Sequence, residues 1–413
     1  MTIEFDVAVV GLGYVGLPSA ALLAHSGKKV LGVDTDVDRL HQLESGSLET
    51  DEPGLHIALR RAVDDRQLLF SERLAPASAF LICVPTPLRA GQADLRFIEQ
   101  VAGALAAIVK TGDLVILEST SPPGTTQRLE NLLKQAGADT AGVHFAYCPE
   151  RVLPGNALEE IRSNARLVGG LTPEASAMAA AFYSAFSVGS VVTTSAAMAE
   201  VAKLVENSFR DVNAAFANEV SMIASSFGLN DSALLELVNM HPRVDVLRPG
   251  VGVGGHCLPI DPLFLASSRP DESLLIQTAR KVNNRKSEWI VEVVKKRAFA
   301  LIENASIQPS EFSILCLGLS YKADSSDLRE SRALWVYESL EKIGFAVSAC
   351  EPNVRRSDSI ELVNLAEGLD RADLVLGLVD HKEFKDIDLE KHAGDHFLDF
   401  CGLTSRGLPT TTD

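Results

Sequence analysis

The feature that most constrains the fold is a short apolar run that leads directly into three spaced glycines. The segment reads VAVVGLGYVGLPSAALLA, and its glycines are Gly11, Gly13 and Gly16. The apolar run predicts a buried strand, and the stretch after Gly16 has the periodicity of an amphipathic helix. A second apolar run, KVLGVDTD, follows and contains Asp34. This order predicts a strand, a tight turn, a helix and a second parallel strand, the repeating unit of a doubly wound α/β sheet.

The same alternation is present near both ends of the chain. Strands are predicted in the first half at 7–10, 30–33, 79–84, 114–117, 143–147, 166–168 and 190–193, and in the second half at 312–317, 346–350, 374–379 and 397–400. Residues 196–227 contain neither Gly nor Pro and predict one helix of about 48 Å, with further helical segments up to about residue 300. We therefore predict an α/β fold in which two Rossmann-like, doubly wound domains are joined by a long central helix and a helical dimerisation region.

Charge and cysteine content exclude several classes of partner. The formal net charge of −17 disfavours nucleic acid and anionic membranes. The six cysteines have neither the paired spacing of a metal site nor the pattern of a disulfide framework. Glu4 and Asp6 lie where a signal peptide is positively charged, and no apolar run has membrane-spanning length. We expect a cytoplasmic protein with reduced thiols and no bound metal, with neither nucleic acid nor membrane as a partner.

The glycine loop predicts a binding site for a dinucleotide. Gly11 permits the tight turn, Gly13 allows a pyrophosphate to approach the backbone, and Gly16 lets the helix pack on the strand. The helix N-terminus offers N–H groups and the positive end of a dipole to the phosphates. The loop residues that complete this expected site are Tyr14 and Val15. The alternative is a glycine turn that binds nothing.

Asp34, after the second apolar run, indicates which dinucleotide is expected. Its carboxylate suits the 2′-hydroxyl of a ribose and repels a 2′-phosphate, so NAD is favoured over NADP. Arg39, five residues later, weakens that preference because a cation attracts a 2′-phosphate. We expect NAD as the cofactor, with both residues beside its ribose.

Three later strands end in loops rich in proline and hydroxyl side chains. Ligands of such sheets bind beyond the carboxyl ends of the strands, so these loops are expected at the cofactor cleft. The residues assigned to the cofactor there are Pro85, Thr86, Ser119 and Thr120. The third loop places Glu150 at the cleft, where a carboxylate is a candidate general base or a group that positions water. A salt bridge of Glu150 with Arg151 or Arg162 is an equally good interpretation.

The long helix carries Lys203, Asn207 and Arg210 at spacings of four and three residues. At about 100° per residue these side chains fall within a sector of roughly 60°, so they share one face. Two cations and an amide together suit an anionic or polyhydroxyl ligand. A solvated polar face is the alternative.

The segment GVGVGGHCLPIDP surrounds Cys257 with glycines on one side and prolines on the other. The glycines that permit positive φ and a close approach to a ligand are Gly252, Gly254 and Gly255. A thiol beside a nicotinamide suggests capture of an aldehyde as a thiohemiacetal and its oxidation to a thioester. Asp261 can orient a hydroxyl or a water molecule. His256 is expected to be a contact or packing residue rather than the base for Cys257, because neighbouring side chains usually point apart.

Together, these motifs resemble the UDP-glucose/GDP-mannose dehydrogenase family. The resemblance runs almost from end to end and includes GLGYVGLP, VPTP, ESTSPPGT, YCPERVLPG, AEVAKLVENSFRDVNAAFANE, HPRV, GVGVGGHCLPIDP and GLSYKADSSDLRES, in one order. Members of this family use NAD to oxidise C6 of a nucleotide sugar from an alcohol to an acid. The cysteine motif is most similar to that of the branch acting on UDP-linked N-acetylmannosamine or N-acetylglucosamine.

The resemblance implies a role for each candidate residue. Cys257 is the nucleophile, Glu150 assists acid–base steps and thioester hydrolysis, and Lys203 stabilises the developing oxyanion. Asn207 lies beside the sugar and Asp261 near the attacking water. The residues implied in substrate binding are Arg151, Val152, Leu153, Arg210, His241, Arg243, Gly254 and Lys322. Arg243 would reach the neighbouring subunit, and Arg329 would contact the cofactor.

The implied organisation has three domains. Residues 1–194 form the NAD-binding Rossmann domain, and residues 195–302 form a central helical domain that carries the cysteine loop. Residues 303–413 form a C-terminal Rossmann-like domain that binds the UDP-sugar. The long central helix forms the core of a homodimer.

Two departures from the family pattern bear on the substrate. Val251 stands where a proline commonly precedes the glycine run, and Ile260 stands where the UDP-glucose enzymes usually have a lysine. The missing positive group weakens the case for glucose. We expect UDP-N-acetylmannosamine first and UDP-N-acetylglucosamine second, ahead of UDP-glucose or dTDP-glucose.

Two other functions remain open on the sequence. A two-electron hydroxyacid dehydrogenase of similar architecture would use a lysine without a cysteine and would yield one NADH per substrate. A non-catalytic sensor of NAD or of nucleotide sugars would keep the fold without needing the candidate catalytic residues together. We expect the four-electron enzyme.

Overall fold

The computed structural model describes residues 5–48, 50, 52–152, 155–356, 359–385, 389 and 394–404. The chain divides into two compact units, Met1–Val205 and Glu206–Asp413, and each is described by itself. Within the described residues, no helix has both the length and the apolar character needed to cross a membrane.

The first unit is built on a sheet of eight strands with the order β10-β9-β8-β7-β4-β1-β2-β3. The strands of this unit are β1 Phe5–Val10, β2 Val30–Val33, β3 Leu68–Ser71, β4 Ala77–Ile82, β5 Leu88–Arg89, β6 Gln92–Ala93, β7 Leu114–Leu117, β8 His144–Tyr147, β9 Arg166–Gly170 and β10 Val191–Ser195. Strands β5 and β6 form a separate antiparallel hairpin. Neighbours in the large sheet are parallel except for β8 and β9, which run antiparallel. The strand order reverses at β1 and β4, and this is the point where such sheets bind ligands.

Side chains of each strand alternate between two apolar clusters, one on each face of the sheet. The helices of this unit are α1 Gly16–His25, α2 Val37–Ser45, α3 Leu55–Asp64, α4 Arg96–Leu105, α5 Thr125–Gln135, α6 Ala157–Ser163 and α7 Pro173–Ser184. Val7 and Val9 pack in the cluster that includes α1 and α7 residues. Ala8 and Val10 pack in the cluster that includes α4 and α5 residues. Helices therefore cover both faces, as the doubly wound pattern predicts.

Helix α8, Ala196–Ser226, begins in the first unit and ends in the second. It spans 31 residues because no Gly or Pro interrupts it, and it ends two residues before Gly228, whose φ is +65°. Its extent agrees with the predicted central helix to within one residue.

The second unit contains a parallel sheet of four strands in the order β12-β11-β13-β14. Its further elements are α9 Asp231–Asn239, α10 Asp261–Ser268, α11 Leu274–Ala305, β11 Ser313–Leu317, α12 Arg332–Ile343, β12 Ala346–Cys350, α13 Leu365–Arg371, β13 Leu374–Gly377 and β14 Phe397–Asp399. Ile314 and Cys316 pack against the apolar sides of α11 and α12. Leu315 and Leu317 pack in a cluster on the opposite face.

The predicted α/β class with two Rossmann-like sheets is confirmed, with local differences that include the β5–β6 hairpin. Strand β3 is not predicted from the sequence, because it lies at the edge of the sheet and is only partly buried, so its apolar run is short. The direction of β9 is also not predicted, since an apolar run indicates a strand but not its orientation. The boundaries of the three predicted domains stay a prediction.

Candidate active site

The glycine loop after β1 has the shape that a dinucleotide site requires. Gly11 has a φ of +90°, and a Cβ there would lie 2.6 Å from the carbonyl oxygen of Cys83. A Cβ on Gly16 would lie 1.9 Å from the carbonyl oxygen of Gly11, whereas a Cβ on Gly13 would meet open space. Packing therefore requires Gly11 and Gly16, while the space beside Gly13 fits a pyrophosphate at the N-terminus of α1.

Asp34 and Arg39 both contact this glycine loop. Asp34 is half-buried, and its Oδ2 accepts a hydrogen bond from the Leu12 N–H at 2.8 Å. Arg39 donates from Nε to the Leu12 carbonyl at 2.9 Å. A carboxylate oxygen has more than one lone pair, so Asp34 can accept from a ribose hydroxyl while it holds the loop. The arrangement fits NAD.

The hydroxyl-bearing loops after β4 and β7 are tied to each other. Thr86 donates from Oγ1 to the Thr120 carbonyl at 2.5 Å, and Ser119 donates from Oγ to the Val84 carbonyl at 2.8 Å. Since Cys83 lies against Gly11, both loops lie beside the glycine loop. The structure thus brings the predicted cofactor residues of the first unit together, with Pro85 and Tyr14 exposed at their surface.

Glu150 follows β8 and meets Lys203 of α8. The Glu150 side chain is buried, its Oε2 accepts from the Tyr14 hydroxyl at 3.4 Å, and its Oε1 accepts from the Val152 N–H. Lys203 is also buried and donates from Nζ to the Glu150 carbonyl oxygen at 2.7 Å. Burial raises the pKa of the Glu150 carboxyl, and the Lys203 charge partly opposes this rise. A carboxyl with a raised pKa beside a cation is suited to proton transfer.

A second carboxylate, Glu118, lies near Glu150 and was not assigned a role from the sequence. Both line one cavity, together with Arg166. Glu118 accepts from the Tyr183 hydroxyl at 2.6 Å, and Arg166 lies 3.6 Å from the same oxygen. The Glu118 charge adds to the rise in the pKa of Glu150. The available signal was a charged residue directly after the fully apolar β7 sequence LVIL.

In the second unit, a turn joins Cys257 to Asp261. The carbonyl oxygen of half-buried Cys257 accepts from the N–H groups of Ile260 at 3.0 Å and Asp261 at 2.9 Å. Asp261 begins α10, is buried, and accepts at Oδ2 from the Asn207 Nδ2 at 2.6 Å. Three predicted site residues of this unit, Cys257, Asp261 and Asn207, are therefore connected.

The glycines before Cys257 approach the protein itself. Gly252 and Gly255 have the expected positive φ, +118° and +91°. A Cβ on Gly255 would lie 2.8 Å from the Tyr321 ring, and a Cβ on Gly254 would lie 2.5 Å from the carbonyl oxygen of Glu330. Only glycine permits these contacts, so the close approach that the sequence suggested for a ligand is already made by other parts of the unit.

The remaining predicted substrate residues lie in three places. Arg151 and Val152 are in the Glu150 loop, and Leu153 lies outside the described residues. The side chains of three further residues are exposed: Arg210, His241 and Arg243. Of the stripe predicted on α8, Lys203 and Asn207 are therefore buried and Arg210 is not. His241 accepts at Nδ1 from the Arg243 N–H at 3.3 Å, within an exposed turn.

Lys322 and Arg329 lie on the segment between β11 and α12. The carbonyl oxygen of Lys322 accepts from the Ser320 hydroxyl at 2.7 Å. Arg329 has an exposed side chain that pairs with Asp327 at 2.8 Å. Their implied contacts with substrate and cofactor stay predictions.

The β11–α12–β12 unit repeats the local geometry of β1–α1–β2. Gly318, with φ +84°, follows β11, and Glu351 follows β12 at the place that Asp34 has after β2. The Glu351 Oε2 accepts from the Leu319 N–H at 2.7 Å. In contrast to half-buried Asp34, the Glu351 side chain is fully buried and contacts His381 Nε2 at 3.1 Å. Glu351 therefore holds the loop and is closed to a ribose, a difference that the sequence analysis did not predict.

Comparison with known proteins agrees with this arrangement. Residues 5–187 match the NAD binding domain of the UDP-glucose/GDP-mannose dehydrogenase family. Residues 197–285 match its central domain, and residues 315–401 match its UDP binding domain. The three matches follow the order of the elements that carry the glycine loop, the cysteine loop and the second sheet.

Individual relatives are similar over nearly the whole chain. A UDP-N-acetyl-D-mannosamine dehydrogenase of Yersinia pestis is 42% identical over 96% of this chain and 98% of its own length. An NDP-N-acetyl-D-galactosaminuronic acid dehydrogenase of Ralstonia nicotianae is 41% identical over 97% of this chain and 96% of its own. Among solved structures, a UDP-D-ManNAc dehydrogenase from Pyrococcus horikoshii has a TM-score of 0.88 and 36% identity, covering 97% of this chain and 96% of that chain.

The resemblance noted in the sequence is thus confirmed by domain matches, by relatives and by the fold, and NAD is confirmed as the cofactor. With a dinucleotide site in its first unit, a UDP binding domain in its second and full-length relatives that are dehydrogenases, the chain belongs to the UDP-glucose/GDP-mannose dehydrogenase family and is an NAD-dependent nucleotide-sugar dehydrogenase.

Proposed function

We propose that the protein oxidises C6 of UDP-N-acetylmannosamine to the uronic acid in two two-electron steps, with Cys257 holding the carbon between them. The observation that carries this proposal is the position of Cys257. It lies on a tight turn that leads into the buried Asn207–Asp261 pair. A thiol on a turn that leads to a buried amide and carboxylate suits a covalent step at a polyhydroxyl substrate.

The choice of sugar is supported by the relatives and by one residue of this chain. Dehydrogenases named for UDP-N-acetyl-D-mannosamine and for NDP-N-acetyl-D-galactosaminuronic acid are about equally similar to it, and these sugars share an acetamido group. Ile260, in the turn after Cys257, is apolar and suits a methyl-bearing substituent better than a lysine would. UDP-N-acetylglucosamine is the second candidate, ahead of UDP-glucose and dTDP-glucose.

The first oxidation converts the C6 alcohol to an aldehyde. NAD, when bound, supplies the hydride acceptor for both oxidations, two electrons in each. The alcohol proton leaves to a base, a role for which Glu150 is suited by its buried carboxyl. Lys203 stabilises negative charge on the C6 oxygen, because a buried cation is a strong electrostatic partner in a site closed to water.

The second oxidation takes place on the cysteine. The Cys257 sulfur bonds to C6 of the aldehyde, and the thiol proton moves to the C6 oxygen, which gives a thiohemiacetal. Loss of a hydride from C6 and of the hydroxyl proton gives a thioester. Water then attacks C6, the C–S bond breaks with the sulfur leaving as a thiolate, and the carboxylic acid is released; the thiolate regains a proton from solvent. Asp261 orients this water, Asn207 holds the sugar, and Glu150 takes the water proton.

Other expected binding roles and domain assignments form part of the same proposal. The cofactor residues are Gly11, Gly13, Tyr14, Val15, Gly16, Asp34, Arg39, Pro85, Thr86, Ser119, Thr120 and Arg329. The substrate residues are Arg151, Val152, Leu153, Arg210, His241, Arg243, Gly254 and Lys322. Residues 1–194 form the NAD domain, 195–302 the central domain and 303–413 the UDP-sugar domain. The six cysteines, all within the described residues, are in the thiol state, which supports a cytoplasmic location.

A homodimer through α8 is also part of the proposal. Large apolar side chains are exposed along this helix at Phe209, Phe216 and Ile223, and at Phe227 directly after it. Their spacing of seven, seven and four residues forms one stripe of the kind that packs against a second helix. A second copy of the chain covers this stripe most simply, because the symmetric partner offers the same surface.

The test is a panel of nucleotide sugars with NADH and acid counted for each. The panel contains UDP-N-acetylmannosamine, UDP-N-acetylglucosamine, UDP-glucose, dTDP-glucose and GDP-mannose. We expect the highest kcat/KM with the first, two NADH per acid, and no acid from Cys257→Ala. Cys401→Ala is the matched control, since Cys401 is also a half-buried thiol of the second unit. Acid formation by Cys257→Ala, or a single NADH per substrate, would exclude the covalent mechanism and favour a two-electron dehydrogenase.

A further inference from the structure

The cysteine loop rests on the segment that follows β11. The backbone of Gly255 lies against the face of the Tyr321 ring, where a Cβ would be 2.8 and 2.9 Å from two ring carbons. Gly254 lies close to the backbone of Glu330, since a Cβ on Gly254 would be 2.5 Å from the Glu330 carbonyl oxygen. Gly254 and Gly255, which come before His256 and Cys257, are therefore in close contact with this segment. Gly255 contacts the Tyr321 ring, and Gly254 contacts the Glu330 peptide group.

His256 adds a polar contact to the same segment. Its Nε2 lies 3.0 Å from Asp327 Oδ2 and 2.9 Å from Arg329 Nη2. Burial and the nearby Arg329 charge lower the pKa of His256, while the Asp327 carboxylate opposes this shift. Asp327 accepts two hydrogen bonds from the guanidinium, at Oδ1 and Oδ2, and keeps it in place. Gly255 and His256, the two residues directly before Cys257, are therefore both in contact with this segment.

The segment that carries Tyr321 and Asp327 is itself fixed. The Tyr321 N–H donates to the Asp327 carbonyl at 3.1 Å. The Leu319 and Ser320 N–H groups donate to the buried Glu351 carboxylate at 2.7 and 3.0 Å. The ring that supports Gly255 is thus anchored to the end of the second sheet. Such an anchor can fix a reactive side chain to within the small tolerance that bond formation requires.

We propose that Tyr321 and Asp327 are positioning residues that hold the Cys257 thiol in place for attack on the aldehyde. This rests on the proposed function, because the attack is the step in which the Cys257 sulfur bonds to C6 and the thiol proton moves to the C6 oxygen. Tyr321 acts through the flat face of its ring and not through its hydroxyl. Asp327 acts through Arg329 and His256.

Loss of this support has a specific consequence for the products. When the thiol is displaced, the first oxidation still yields the aldehyde, but capture is slow and the aldehyde escapes. The ratio of NADH to acid then rises above two. A variant that is only less stable loses both oxidations in proportion and keeps the ratio at two.

The experiment compares Tyr321→Ala, Tyr321→Phe and Asp327→Ala in the full-length enzyme with UDP-N-acetylmannosamine and NAD. Escaped aldehyde is counted after removal of protein, by reduction with borodeuteride and mass spectrometry of the deuterated sugar. We expect Tyr321→Ala to form acid at least tenfold more slowly, to release aldehyde and to keep its KM for NAD. Tyr321→Phe should keep a ratio of two, and Asp327→Ala should release aldehyde to a smaller extent. If Tyr321→Ala does not fold, Tyr321→Leu, which is apolar but not flat, carries the same expectation.

Two outcomes separate this proposal from the proposed function. If the unmodified enzyme yields two NADH per acid and depends on Cys257, while Tyr321→Ala keeps that ratio and rate, the positioning role is wrong and the mechanism stands. If the unmodified enzyme forms no acid, the proposed function is wrong. Aldehyde release from Tyr321→Phe equal to that from Tyr321→Ala would also overturn the proposal, because the hydroxyl would then carry the effect.

Discussion

Replacement of Lys203 by Met tests the part of the mechanism that belongs to the first unit. The substitution keeps a long apolar stem and removes the ammonium group, so the change in volume is small. The lost contact is the 2.7 Å hydrogen bond from Nζ to the Glu150 carbonyl oxygen, made by a buried side chain. Two effects are expected: a lower kcat and a shift in its pH dependence.

The size of the first effect follows from the kind of contact that is lost. A hydrogen bond from a charged group contributes about 1.5–3 kcal/mol, and the same amount lost from the transition state slows a reaction about 13- to 160-fold. Removal of one donor to a developing oxyanion in a closed site has cost about 100- to 1,000-fold in other enzymes. We therefore expect kcat of Lys203→Met to fall about 100-fold or more.

The sign of the second effect follows from the pKa of Glu150. Burial raises this pKa and Lys203 lowers it, so removal of Lys203 raises it further. If Glu150 acts as a base, the acid limb of the kcat profile moves to higher pH. Tyr14→Phe removes a weaker hydrogen bond, 3.4 Å long, that acts in the same direction as Lys203. Its profile should move the same way by a smaller amount.

The assay is kcat against pH for both variants and for Lys134→Met. Lys134 is an exposed lysine paired with Glu130 on α5, so its replacement controls for the loss of one positive charge. We expect no change in its profile. An acid limb that stays in place, or moves to lower pH, in Lys203→Met would refute the assignment of Glu150 as a base coupled to Lys203.

Three further predictions concern the cofactor, the stability and the assembly. The enzyme should prefer NAD over NADP by more than about tenfold, equivalent to ~1.4 kcal/mol, and Asp34→Gly should narrow this gap; equal use of both cofactors by the unmodified enzyme would contradict the role of Asp34. Buried Glu200 accepts hydrogen bonds from the N–H groups of Gly124 at 2.6 Å and Thr126 at 2.8 Å. Glu200→Ala should therefore lower the free energy of unfolding, measured by denaturant titration, by about 2–4 kcal/mol. A loss under about 1 kcal/mol would argue against a stabilising role for these hydrogen bonds. Phe216→Glu should convert the dimer to monomer in sedimentation velocity; an unchanged sedimentation coefficient, or a monomeric parent, would remove α8 as the interface.

The local elements and the chemistry that they carry can be predicted from the order of the residues alone. Strands at 30–33, 114–117 and 346–350 are predicted to the residue, because a short apolar run is visible in the sequence without knowledge of any distant contact. The glycine loop and the cysteine motif are equally local. The spacing of Gly11, Gly13 and Gly16 was sufficient to predict a dinucleotide site, and the ordered set of motifs was sufficient to indicate the family.

Which of these groups contact one another is known only from the folded chain. Lys203 contacts a carbonyl 53 positions earlier in the chain. Gly255 lies against the ring of Tyr321, although the whole of α11 separates the two residues in the sequence. The burial of Glu118 and the different burial of Asp34 and Glu351, which follow equivalent strands, are also decided there. A sequence pattern reports on neighbours along one element, whereas contacts between distant residues depend on how whole elements pack. The glycines before Cys257 are the clearest case. Their pattern indicates that another group approaches the backbone closely, but it does not say whether that group is a ligand or another part of the protein.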